Sequence, residues 1–134
     1  MRRFLAVRAL LMAAIILTVI AFLPRSLRKS EISGETRAMA AIRAIHTAET
    51  QYFSQCGRYA VTLGELAPGI SDSLANGIEG TYRFTLAAIP GGYVVWAVPE
   101  VFHTGSRTFY SDRTMVVHER YGPQPATPRD PESK

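Results

Sequence analysis

Hydrophobic and polar positions fall into three patterns along the chain. From Phe4 to Leu23 the residues are apolar apart from Thr18 and a single charge, Arg8. At about 1.5 Å per residue, these twenty positions reach about 30 Å as a helix, the thickness of a hydrocarbon layer. Twelve of them are Leu, Ile, Val or Phe. At about −0.3 to −0.6 kcal/mol each their sum outweighs a cost of about +3 kcal/mol for an arginine at the midplane, and Arg8 lies near one end, where it can snorkel. Residues 21–25 contain no small-x-small cleavage site, so the run predicts an uncleaved signal-anchor over residues 1–24 with the N-terminus cytoplasmic.

The second pattern has a spacing of three and four. Ile32, Met39, Ile42, Ile45, Tyr52 and Phe53, with Ala38, Ala41 and Ala48, share one helical face, while Glu35, Arg37, Arg43 and Gln51 fall largely elsewhere. No proline lies between Arg25 and Pro68, and Gly57 is a natural C′ residue. The expectation is a helix of about fifty residues, kinked at Pro24 and ending near Gln55. Glu49 is expected as a snorkelling or hydrogen-bonded acid at the edge of the apolar stripe.

The third pattern has period two. Residues 57–80, with five glycines and Pro68, read as a connection with a short helical turn at Leu63–Ala67. Strands are expected at Thr81–Leu86, Tyr93–Val98, Thr108–Ser111 and Met115–Glu119, with turns at Pro90-Gly91-Gly92 and Asp112-Arg113. The fold class is therefore α+β: a long N-terminal helix, transmembrane and then amphipathic, packed on a small four-stranded antiparallel sheet. The run Tyr93–Val98 is apolar on both faces, which calls for the tail, a neighbouring subunit or a central position to cover Trp96. Residues 122–134 hold four prolines and no apolar period and are expected to be disordered. The domains are thus 1–24, 25–121 and 122–134.

Charge changes the picture once it is located. The net charge of +4 suggests a nucleic-acid partner, but of the fifteen basic residues five flank the apolar run and a sixth, Arg8, lies within it. From Ser30 onward nine Lys/Arg face eleven Asp/Glu, a balance of −2, so no nucleic-acid footprint is expected and the positive charge meets lipid headgroups instead. Cys56 is the only cysteine, which excludes an internal disulfide and a multi-cysteine zinc site. His46, His103 and His118 are isolated, with no metal-ligand spacing, and Thr104-Gly105-Ser106-Arg107-Thr108 lacks the second glycine of a serine-hydrolase elbow. No catalytic, cofactor-binding or metal residue is expected, nor a small-molecule substrate.

Several ordered segments resemble the type IV pilin and type II secretion pseudopilin group: Phe22–Arg28, Ala40–Tyr52, Leu74–Gly77 with Gly80–Phe84, and Thr104–Asp112. The resemblance implies a non-catalytic subunit in the bacterial inner membrane. It would pass the membrane once, with its globular domain periplasmic or extracellular. It would meet other pilin-like subunits and the secretion or pilus assembly proteins through its N-terminal helix, and membrane lipid around it. One departure stands out. Counting back from Pro24, the leader cleavage position falls near Arg3 and the membrane glutamate near Val7, and neither residue fits. In this group that glutamate pairs with a neighbour's N-terminal amine inside the membrane, where an unpaired charge is expensive. The rival expectation is a monomeric, membrane-tethered binding module that does not polymerise.

Overall fold

The helix of the second pattern forms because its inward face is small and aliphatic. Ala38, Ala41, Ile42, Ile45 and Ala48 are buried, with Met39, Ala44 and Tyr52 packed beside them. The computed structural model describes residues 34–134. Within them helix α1 spans residues 34–56 and stops at Gly57, whose φ of 69° is the left-handed conformation a C′ residue needs. The three alanines let the sheet approach closely, and Ile42 and Ile45, fully buried, each contribute about 1.5–3 kcal/mol of burial.

A 3₁₀ turn at Leu63–Leu66 follows, closed by a capping box in which the Thr62 side chain accepts from the Glu65 N–H and the Glu65 carboxylate accepts from the Thr62 N–H. A single-turn helix α2, Asp72–Ala75, is capped by Ser71. Five antiparallel strands then form one sheet in sequence order: β1 Ile78–Glu79, β2 Tyr82–Ile89, β3 Gly92–Pro99, β4 Arg107–Asp112 and β5 Val117–Tyr121. Pro90 and Gly91, the latter at φ 75°, join β2 to β3, with proline and glycine in the order a type II turn prefers.

The sheet has two different faces. Tyr82, Phe84, Leu86, Tyr93, Val95, Ala97 and Phe109 join the α1 side chains in the main core. Val94 and Tyr110, with Ala87 and Trp96 half-buried beside them, point the other way and meet Ala126. The continuous apolar run of β3 follows from this: it is the central strand, covered by α1 on one face and by residues after β5 on the other.

The expected fold is corrected on three counts. The sheet has five strands, not four, because the two-residue β1 is too short to show a period. The last strand begins two residues later than expected, because Met115, at φ 64°, belongs to the turn. The helix described has 23 residues and not about fifty, and no helix among the described residues is long and apolar enough to cross a membrane. The apolar run 4–23, Pro24, Ile32 and the expected anchor lie outside the described residues.

Residues 122–134, expected to be disordered, instead form a strap along β5. The Glu119 N–H donates to Pro131 O and the Ser133 N–H to Val117 O, at 2.9 and 2.8 Å, around a bridge between His118 and Glu132. Prolines forbid a regular ladder but leave carbonyls free to accept, and three such contacts with a fully buried Ala126 suffice to hold the segment.

Candidate functional site

One helical turn of α1 carries two titratable side chains into the core. His46 and Glu49, three residues apart, lie on the buried face. Nδ1 of His46 meets the Tyr93 hydroxyl of β3, and Nε2 lies 2.7 Å from Ser111 Oγ of β4. Ser111 donates its own proton to Val116 O at 2.8 Å, so its oxygen accepts from His46 Nε2–H while the Tyr93 O–H donates to Nδ1. A neutral imidazole satisfies this chain completely, whereas a second proton on Nδ1 would take the Tyr93 oxygen as acceptor and deprive the Tyr93 O–H of its acceptor. Burial lowers the His46 pKa from its ordinary 6.5, partly opposed by the Asp112 charge.

Glu49 is fully buried. Its Oε2 accepts from the Ala60 N–H at 2.9 Å and pins the chain leaving α1, but Oε1 has no hydrogen-bond partner. Burial raises its pKa above the ordinary 4.5; the Ala60 bond opposes this and the Glu65 charge adds to it. Burial also raises the Tyr93 hydroxyl, with the Glu49 charge contributing.

A second polar group ties the start of α1 to the sheet. The Arg107 guanidinium of β4 donates to Glu35 of α1 through Nε and Nη2 and to Glu119 of β5 through Nη1, at 2.6 Å for the last. Hydrogen bonding to Glu35 raises the Arg107 pKa further, against the effect of burial. Ser133 of the strap also donates to Glu119, at 2.7 Å, so one arginine organises helix, sheet and strap.

Both polar groups tie α1 to the sheet. Ser111 and His46 are within hydrogen-bond reach, but Ser111 has no exposed surface and its proton is committed to Val116 O. The far side of the imidazole meets a tyrosine hydroxyl, not a carboxylate. A shallow hollow of about 410 Å³ beside His46, walled by Arg43, Thr47, Thr50, Gln51 and Met115, does not reach the serine. Cys56 is exposed at the end of α1, His103 is exposed in the β3–β4 loop, and His118 donates Nδ1–H to Asp130 O at 2.7 Å. These residues are not brought together, and no group of three His, Cys, Asp or Glu able to hold a metal ion occurs among the described residues.

The surface is more distinctive than the interior. A groove of about 480 Å³ opens where the end of α1 meets the β2–β3 hairpin. Phe53, Tyr59, Val61 and Ile89 give it an apolar floor, and Arg58 and Arg113 stand at its rim. Phe53 and Tyr59 stack at 4.7 Å between centroids, and Tyr59 meets Tyr93 at 5.0 Å, so the floor is continuous with the core. The sequence places Phe53 on the apolar face of α1 but does not show that it meets Ile89 and Gly92 of the β2–β3 hairpin there. Nor does it show Arg113 meeting this groove: its stem lies against Gly92, where a Cβ would come within 3.0 Å of Arg113 Cδ.

Searches of protein-family models, of curated proteins and of solved structures find no match to this chain.

Proposed function

We propose that this chain is a non-catalytic assembly subunit of the type IV pilus or type II secretion pseudopilus kind, tethered in a bacterial inner membrane by the apolar run 4–23. Its described unit would work by packing against other subunits, with no bond made or broken. The observation that carries this reading is that buried His46 and Ser111 and the partly buried Glu35, Arg107 and Glu119 are spent on clamping α1 to the sheet, while large apolar side chains stay exposed at the unit's ends. A scaffold clamped inside and sticky outside suits assembly. The ordered resemblance over Ala40–Tyr52 and Thr104–Asp112 supports the particular class.

Formaldehyde crosslinking of the full chain in intact membranes tests it. The expected result is a ladder of multimers that includes other pilin-like subunits. A monomer band alone at every crosslinker dose would replace this reading with that of a membrane-tethered binding module.

A further inference from the structure

The exposed large hydrophobics among the described residues are not scattered. Phe53, Val61, Ile89 and Met115, at 45, 52, 46 and 54 % exposure, lie where α1 ends and the β2–β3 and β4–β5 turns fold back. Val101, Phe102 and Tyr121, at 65, 43 and 68 %, lie at the opposite end, where α1 begins. Contacts fix these ends. Gly34 approaches Thr81 and Tyr82, Tyr82 pairs with Pro99, and Arg107, opposite Tyr121, binds Glu35. At the other end Phe53 shares the groove with Ile89 and Gly92. The eight residues of β3 separate the two ends by about 23 Å at roughly 3.3 Å per residue.

The two patches are also unlike in shape. One is the groove with Arg58 and Arg113 at its rim. The other is a projecting loop, Glu100-Val101-Phe102, closed by reciprocal bonds between His103 and Ser106: the His103 N–H donates to Ser106 Oγ at 3.1 Å and the Ser106 N–H to His103 O at 3.0 Å. That loop is preformed, which lowers the ordering cost of docking. Glu100 carries the charge opposite to that of the rim. Arg113 has no acidic partner among the described residues, and the existing pairs Arg83–Glu100 and Arg58–Glu65 are solvent-exposed and cheap to exchange.

Building on the assembly reading above, we propose that the Val101–Phe102 loop of one copy seats in the Phe53–Ile89 groove of a second copy, with Glu100 meeting Arg113. A groove and a plug on opposite ends form a heterologous contact, which repeats head to tail and leaves every α1 pointing the same way. A twofold pair would instead set the two units antiparallel, each plug in the other's groove, and would close at the dimer, so growth beyond the dimer is what marks the head-to-tail contact.

The native thiol supplies the test, because Cys56 is exposed at the groove end. In the full chain held in membranes, Val101→Cys with Cys56 present is expected to give a disulfide ladder beyond the dimer on mild oxidation. Thr47→Cys, exposed halfway along α1, with Cys56 present is expected to give none. Phe102→Asp or Arg113→Glu in the Val101→Cys background should reduce the ladder about tenfold, and Glu100→Arg combined with Arg113→Glu should restore it. Both sites are exposed, so unchanged melting separates lost contact from lost fold. Nothing beyond a Cys56–Cys56 dimer, or a ladder indifferent to Phe102→Asp and Arg113→Glu, would overturn the proposal. Formaldehyde multimers that persist alongside either result would leave the assembly reading standing and remove only this contact.

Discussion

At the scale of single residues, His46 and Glu49 make the stability of the unit depend on pH in opposite senses. His46 has its pKa depressed, so its contribution is complete above 6.5 and is lost as pH falls through the lower folded value. Glu49 has its pKa raised, so folding carries no penalty from it below 4.5 and loses stability as pH rises through the higher folded value. Glu49→Gln removes the buried charge and keeps an acceptor for the Ala60 N–H. It should leave melting near pH 4.5 almost unchanged and raise stability at pH 8 by on the order of 1 kcal/mol. Parallel pH profiles for the two proteins would show that Glu49 carries no penalty. Arg107→Ala strands Glu35 and Glu119 without their cation and should cost about 2–3 kcal/mol, visible as a lower denaturation midpoint.

At the scale of elements, α1 was legible because burial and periodicity coincide: Ala38, Ala41, Ile42, Ile45 and Ala48 sit where a 3.6-residue repeat puts them. The central part of each of the four longer strands was legible for the same reason at period two. Partnership was not legible, since Ser111 lies 65 residues from the histidine it binds and nothing local in the sequence encodes that distance. The strap was misread because composition reports the absence of a periodic apolar face, whereas this segment needs only Ala126 as an apolar anchor and otherwise uses backbone bonds, Asp130 and Ser133. Ending the chain after Tyr121 should uncover Val94, Tyr110 and the single tryptophan, Trp96. The expected readout is a red-shifted Trp96 emission with weaker protection of β5 amides from hydrogen exchange. An unshifted spectrum would mean that the strap does not cover that face. Within the main core, Ile42→Ala should cost about 2–5 kcal/mol, as cavity formation at a fully buried aliphatic does, and a change under 1 kcal/mol would place Ile42 outside the core.

At the scale of the whole molecule, the division of labour is between an interior that holds its shape and ends that remain unsatisfied. The groove was only half legible: Phe53, Tyr59, Val61 and Ile89 are ordinary apolar residues in the sequence, and only the meeting of the end of α1 with the β2–β3 hairpin turns them into one surface. If the apolar run 4–23 tethers the chain as proposed, confinement to one membrane would raise the effective concentration of the units and favour such contacts. The function proposed for these ends is association, and the size of the species that formaldehyde traps from intact membranes containing the chain tests it. A regular ladder of multimers is expected; a single monomer band across the whole dose range would rule association out.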